Sequence, residues 1–173
     1  MPDFEDAIEI SADADSVFEF CSDVSRMPDY VPTVTAVEWR GDDTIHVAGT
    51  AYERNYETEG RLSVHNEALR MIWDAPTHGR YHGELEVAPG SGDAARVTVR
   101  LSFSADSAVR QNAAQRGLDP DAHIRQAIRR TLERMKELIE GEPTAAWRNE
   151  ARGEEDARRG YDEPRHGFRH PLD

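Results

Sequence analysis

LDPDAHIRQAIRRTLERMKELIEG, residues 118–141, is the stretch on which the fold turns. Asp119 is a good N-cap, Pro120 takes the first helical position where its missing N–H costs nothing, and Gly141 ends the run. Ile124, Ile128, Leu132, Met135, Leu138 and Ile139 fall on one stripe, while Arg125, Arg129, Arg130 and Glu133 face away. A helix apolar on one side only needs something to lie against. The rest of the chain has to supply a sheet.

It does so over residues 33–105. The last strand in that region alternates cleanly, with Val97, Val99, Leu101 and Phe103 inward against Arg96, Thr98, Arg100 and Ser102 outward. Before it, Thr33–Arg40, Ile45–Thr50, Tyr52–His65, Leu69–Asp74 and Tyr81–Val87 read as further strands. Gly41-Asp42-Asp43, Glu67-Ala68, Pro76–Gly79 and the PGSGD loop (89–93) turn the chain between them. Short links favour antiparallel neighbours.

Upstream, FEDAIEIS (4–11) places Phe4, Ile8 and Ile10 on one side and Glu5 and Glu9 on the other, a half-buried strand. Ser11 or Asp13 can cap a helix over Ala14–Cys21. A second short helical piece, around Asp23–Tyr30, is expected to be broken by Pro28 and to end before Pro32. Residues 106–117 are polar and open to either helix or loop. The expected class is α+β: an antiparallel sheet of about seven strands, curved around a long C-terminal helix, with two short helices after the first strand. Residues 1–141 form the domain. Residues 142–173, rich in Arg, Glu, Gly and Pro, read as a flexible charged tail.

Composition bounds the function. A net charge of −13 opposes nucleic acid, because displacing counterions from phosphates needs a basic face. No run approaches the about 20 apolar residues of a membrane span, and acids stand where a secretory signal would carry bases, so a cytoplasmic location is expected. Cys21, the single cysteine, forms no internal disulfide and reads as a small buried apolar residue. His78 and His82 are four apart across a turn and a strand. Four strand residues span about 13 Å, too far for two ligands of one metal. No metal or other cofactor is expected. APGSGDA (88–94) is a hairpin, not a phosphate loop or a nucleophile elbow.

Taken together, IEISADADSVFEFCSDVSRMPDYVPTVTAVE (8–38), ALRMIWDAPTHGRYHGELEVAPGSGDAARVTVRLSF (68–103) and the closing helix resemble the START/polyketide cyclase (SRPBCC) superfamily, with its helix-grip fold. That resemblance spans about residues 4–141. It implies a cavity between sheet and helix that binds a small hydrophobic or aromatic ligand, such as a lipid, polyketide or quinone-like molecule. By alternation the lining comprises Tyr56, Leu62, Val64, Met71, Trp73, Tyr81, Leu85, Val99, Leu101 and Phe103, with Ile128, Leu132 and Met135 above. The same residues can instead pack as a solid core, and periodicity does not separate the two. Tyr30 is expected near the mouth, and Trp39 points inward or caps the outside.

Two other functions fit the same chain. One is a polyketide cyclase or dehydratase in which cavity Tyr56, Tyr81, Arg54 or a carboxylate transfers protons. Glu53 and Arg54 would then form a polar cavity end, against the plainer reading of a solvated face. The other is a protein-interaction module using the sheet or the tail. Integral membrane association is not expected, and the chain is read as a monomer or homodimer.

Overall fold

Seven alternating segments between residues 4 and 103 pair as one antiparallel sheet in the computed structural model. The structure describes residues 4–51, 53–75, 81–103, 114–117 and 119–141. The expected turn at Pro76–Gly79, most of the 106–117 segment and the 142–173 tail lie outside these. The strands are β1 (Phe4–Ile10), β2 (Val34–Trp39), β3 (Thr44–Ala51), β4 (Arg54–His65), β5 (Arg70–Ala75), β6 (Tyr81–Pro89) and β7 (Ala95–Phe103). They pair in the order β1-β7-β6-β5-β4-β3-β2. Each neighbour from β2 to β7 is a hairpin away in sequence. Only β1 joins out of order, laying Phe4 opposite Leu101 and Ile10 opposite Ala95.

Between β1 and β2 stand the helix α1 (Ala14–Ser22), a 3-10 turn (Val24–Arg26) and the short helix α2 (Met27–Tyr30). Asp13, one of the two expected caps, starts α1, its carboxylate accepting from Ser16 N at 2.9 Å. Pro28 departs from the expected break. It sits in the first turn of α2 and helps start that helix, because a proline there forfeits no hydrogen bond. The actual interruption comes just before it, at the 3-10 turn capped by Asp23.

The long helix α3 (Pro120–Gly141) buries Ile124, Ile128, Leu132, Met135 and Ile139, five of the six stripe residues. Leu138 is half-buried. Fully burying one such side chain contributes about 1.5–3 kcal/mol, so the stripe anchors the helix. Arg129 corrects the expected outward face. Its Nε and Nη2 donate to the Asp6 carboxylate at 2.8 and 3.0 Å, and Nη2 also reaches the Ala7 carbonyl at 2.8 Å. A stripe narrower than half the helix leaves flanking residues at its edge, and there a long cationic side chain reaches the sheet. Farther along, Lys136 donates to the Glu9 carbonyl at 2.8 Å, and Glu140 accepts from Ser11 N at 3.3 Å. The free edge of β1 is thereby closed by α3.

Candidate functional site: the inner face of the sheet

Register fixes which side chains meet on the face turned to α3. One row runs across four pairings, Leu62–Trp73–Gly83–Leu101–Phe4. The next runs Val64–Met71–Leu85–Val99–Asp6. Toward β2, Tyr56 lies opposite Gly49 and Thr58 opposite Val47, which in turn faces Val37.

Burial is uneven along this face. At the end beneath α1, Ile10, Ala95, Val97, Val17, Cys21 and Leu132 have no exposure at all. Met135 and Ile139 complete that sealed end. Leu62, Met71, Leu85, Val99 and Ile128 are also buried. Toward the other end, Tyr56, Trp73, Leu101 and Phe103 are only half-buried, as are Val37 and Val47; Val64 is half-buried within the row of Met71 and Leu85. Phe103 meets Phe4 edge-to-face, with centroids 6.1 Å apart. This half-buried apolar patch is what distinguishes the face from a closed core.

Two glycines let aromatic rings lie close to the sheet. A Cβ on Gly83 would fall 2.2 Å from Trp73 Nε1, so the indole occupies the space above that backbone. A Cβ on Gly49 would fall 2.7 Å from the Tyr56 hydroxyl, which donates to the Thr33 carbonyl at 3.2 Å. Burial raises the Tyr56 pKa, and the bond to Thr33 opposes that rise.

The remaining expected residues are distributed as follows. Tyr30 is buried between the short helices, where its hydroxyl donates to the Cys21 carbonyl at 2.9 Å and its ring meets Phe20. It also lines an open cleft of about 330 Å³ between α2 and α3. Trp39 shares the inner register but stands at the sheet edge, 45% exposed. The side chain of Tyr81 lies outside the described residues, as do His78, His166 and His170. Glu53 and Arg54 are exposed at the β3–β4 hairpin. His82 faces outward and bonds Asp74 at 2.6 Å. A second open cleft, about 710 Å³, lies between the β6–β7 hairpin and the start of α1, away from the inner face.

The Asp6–Arg129 pair is the feature that sequence reading missed. Its signal was present, for Asp6 shares the strand parity of Phe4, Ile8 and Ile10, and an acid on an apolar face requires a partner. Among the described sheet side chains, the titratable groups at inner register positions are Asp6, Arg54 and Tyr56. Asp6 is held by Arg129, Arg54 is exposed, and the Tyr56 hydroxyl is engaged by Thr33. Among the described residues, no group of three His, Cys, Asp or Glu side chains is placed to hold a metal, and no helix is long and apolar enough to cross a membrane.

A seven-stranded antiparallel sheet closed over a long C-terminal helix, with short helices after the first strand, defines the helix-grip class. The family model for polyketide cyclase / dehydrase and lipid transport proteins matches residues 1–140, and the chain belongs to that family. Solved structures share the fold at low identity. A START superfamily protein from Mycobacterium smegmatis is 10% identical with a TM-score of 0.62, over 79% of this chain and 98% of that one. The Zhui aromatase/cyclase from Streptomyces sp. R1128 is 19% identical with a TM-score of 0.53, over 76% and 84%. The TTHA0849 protein from Thermus thermophilus is 16% identical with a TM-score of 0.64, over 77% and 93%. No curated protein matches the sequence.

Proposed function

We propose that residues 1–141 bind a small hydrophobic or aromatic molecule between the half-buried end of the inner face and α3, with residues 142–173 as an appended segment. The half-burial of Tyr56, Trp73, Leu101 and Phe103 beside a fully buried core carries this reading. Apolar side chains on an inward face gain free energy only when covered, and a ligand would complete the cover. The family description, which names lipid transport alongside cyclisation, supports it. Covering about 300 Å² of apolar ligand surface gives about 7 kcal/mol before the costs of association. A proton-transfer enzyme of the same family finds less support. Asp6 and Tyr56, the inner-face groups that could transfer a proton, are already engaged by Arg129 and the Thr33 carbonyl.

The test is a titration of the purified chain with the fluorescent probe 1-anilinonaphthalene-8-sulfonate, followed by probe emission. Trp73→Ala and Phe103→Ala should each weaken binding about tenfold, about 1.4 kcal/mol. Ile72→Ala, on the outer face of the same strand, should leave it unchanged. Equal affinity in all three variants would overturn the reading.

A further inference from the structure

The two edges of the sheet are treated differently. The β1 edge is covered by α3, whose Arg129 and Lys136 satisfy the carbonyls of Ala7 and Glu9. Among the described residues the β2 edge is covered only at its start, where α2 packs on it and Val34 N donates to the Val31 carbonyl at 3.1 Å. Beyond that point Ala36, Glu38, Trp39 and Arg40 are all exposed. Trp39 is the one exposed large hydrophobic residue among those described.

The backbone there is open as well. Arg40 N donates to the Thr44 carbonyl at 2.8 Å, so the even-numbered residues of this stretch exchange their bonds with β3. Alternation in an antiparallel ladder then turns the N–H and C=O of Val37 and Trp39 away from the sheet. Among the described residues nothing pairs with them.

We infer that this edge docks a second copy of the chain by antiparallel strand addition about a two-fold axis at Trp39. In that register Trp39 exchanges both backbone bonds with its counterpart, and the two indoles lie side by side on the inner face. Glu38 of each copy falls opposite Arg40 of the other. The segment is thus self-complementary in charge, as a two-fold interface requires. Glu38 and Arg40 already pair within one copy at 2.5 Å, so docking shares an existing ion pair and strands no charge. The register extends only from residue 37 to 41, clear of α2. A net charge of −13 per copy opposes association. The local pairing of both signs is what lets this one stretch approach its twin.

Sedimentation velocity of the full chain from about 1 to about 100 μM tests the inference, with an expected shift from monomer toward dimer across that range. Val37→Pro removes an outward N–H at no cost to the β3 ladder, and it should weaken association at least about tenfold. Trp39→Ser should do the same. Glu38→Arg, an exposed substitution that leaves folding intact, should also weaken it, and Glu38→Arg with Arg40→Glu should restore it. A chain that stays monomeric throughout overturns the inference. So does a dimer whose constant is indifferent to Trp39→Ser and Glu38→Arg, because its interface then lies elsewhere. Probe binding at the inner face is read separately, so either outcome leaves the ligand proposal standing on its own test.

Discussion

Arg129 of α3 holds Asp6 of β1 with two parallel bonds, 2.8 and 3.0 Å, and the same guanidinium reaches the Ala7 carbonyl beside it. A helix fastened only by an apolar stripe can slide along the sheet, whereas a planar fork meeting a carboxylate and a carbonyl fixes its position.

That arrangement makes the two partners unequal. Arg129→Ala removes three bonds and leaves both the Asp6 carboxylate and the Ala7 carbonyl without this donor. Asp6→Ala leaves Arg129 still bonded to Ala7. Both side chains are 37% exposed, which screens the pair. The coupling energy from a double-mutant cycle in urea should therefore be about 1 kcal/mol, with Arg129→Ala the costlier single change. Raising the salt to about 1 M shortens the screening length to about 3 Å and should reduce the coupling.

Gly83→Ala tests the close approach of Trp73. The added Cβ would sit 2.1 Å from Trp73 Cε2, so the indole has to move. Overpacking of this kind costs about 1–3 kcal/mol. Thermal unfolding should report that loss, and tryptophan emission should shift as the ring leaves its seat. A variant with unchanged stability and emission would show that Trp73 does not rest there.

Tyr56→Phe separates the hydroxyl from the ring. The Thr33 carbonyl also accepts from Thr50 N at 2.9 Å, so removing the phenol strands no buried acceptor. The loss should therefore stay near the low end for one hydrogen bond, about 0.5 kcal/mol. Tyr56→Ala, which also removes a ring packed over Gly49, should cost several times more. Chemical denaturation of the two variants gives the comparison.

The sheet was legible because its signals are local. Val97, Val99, Leu101 and Phe103 alternate within one strand, and the stripe from Ile124 to Ile139 repeats within one helix. What escaped depends on contacts between distant segments. Asp6 and Arg129 are 123 residues apart, and only the chain reversal that lays α3 along β1 brings them together. Trp39, open in the sequence to either face, shares the inner register with Leu62, yet one is 45% exposed and the other 2%, because parity says nothing of distance from the sheet edge. Tyr30 was expected at a mouth on the strength of family resemblance. The structure engages its hydroxyl with the Cys21 carbonyl and leaves its ring beside the α2–α3 cleft.

Alkaline pH gives the last prediction. Cys21 is fully buried, and burial pushes its thiol from the ordinary 9.0 up to about 12. Tyr30 and Tyr56 are raised above 10.0, in both cases chiefly by burial. A raised folded-state pKa stabilises the fold below the unfolded value and loses that contribution as pH climbs toward the folded one. Between pH 9.0 and about 12 the unfolded chain releases the Cys21 proton while the folded chain keeps it. Stability should therefore fall by roughly 1 kcal/mol per pH unit once past 9, and more steeply above 10 as the tyrosines join. Few other groups obscure the signal, since Lys136 is the only lysine and arginine does not titrate in this range. Urea midpoints at pH 8, 9.5 and 10.5 should show the decline in the native chain. Cys21→Ala should be weaker at pH 8 by about 1 kcal/mol, from the atom it removes, yet flat between 8 and 9.5, so the gap to the native chain narrows as pH rises. If its decline there matches that of the native chain, the thiol is not the group responsible.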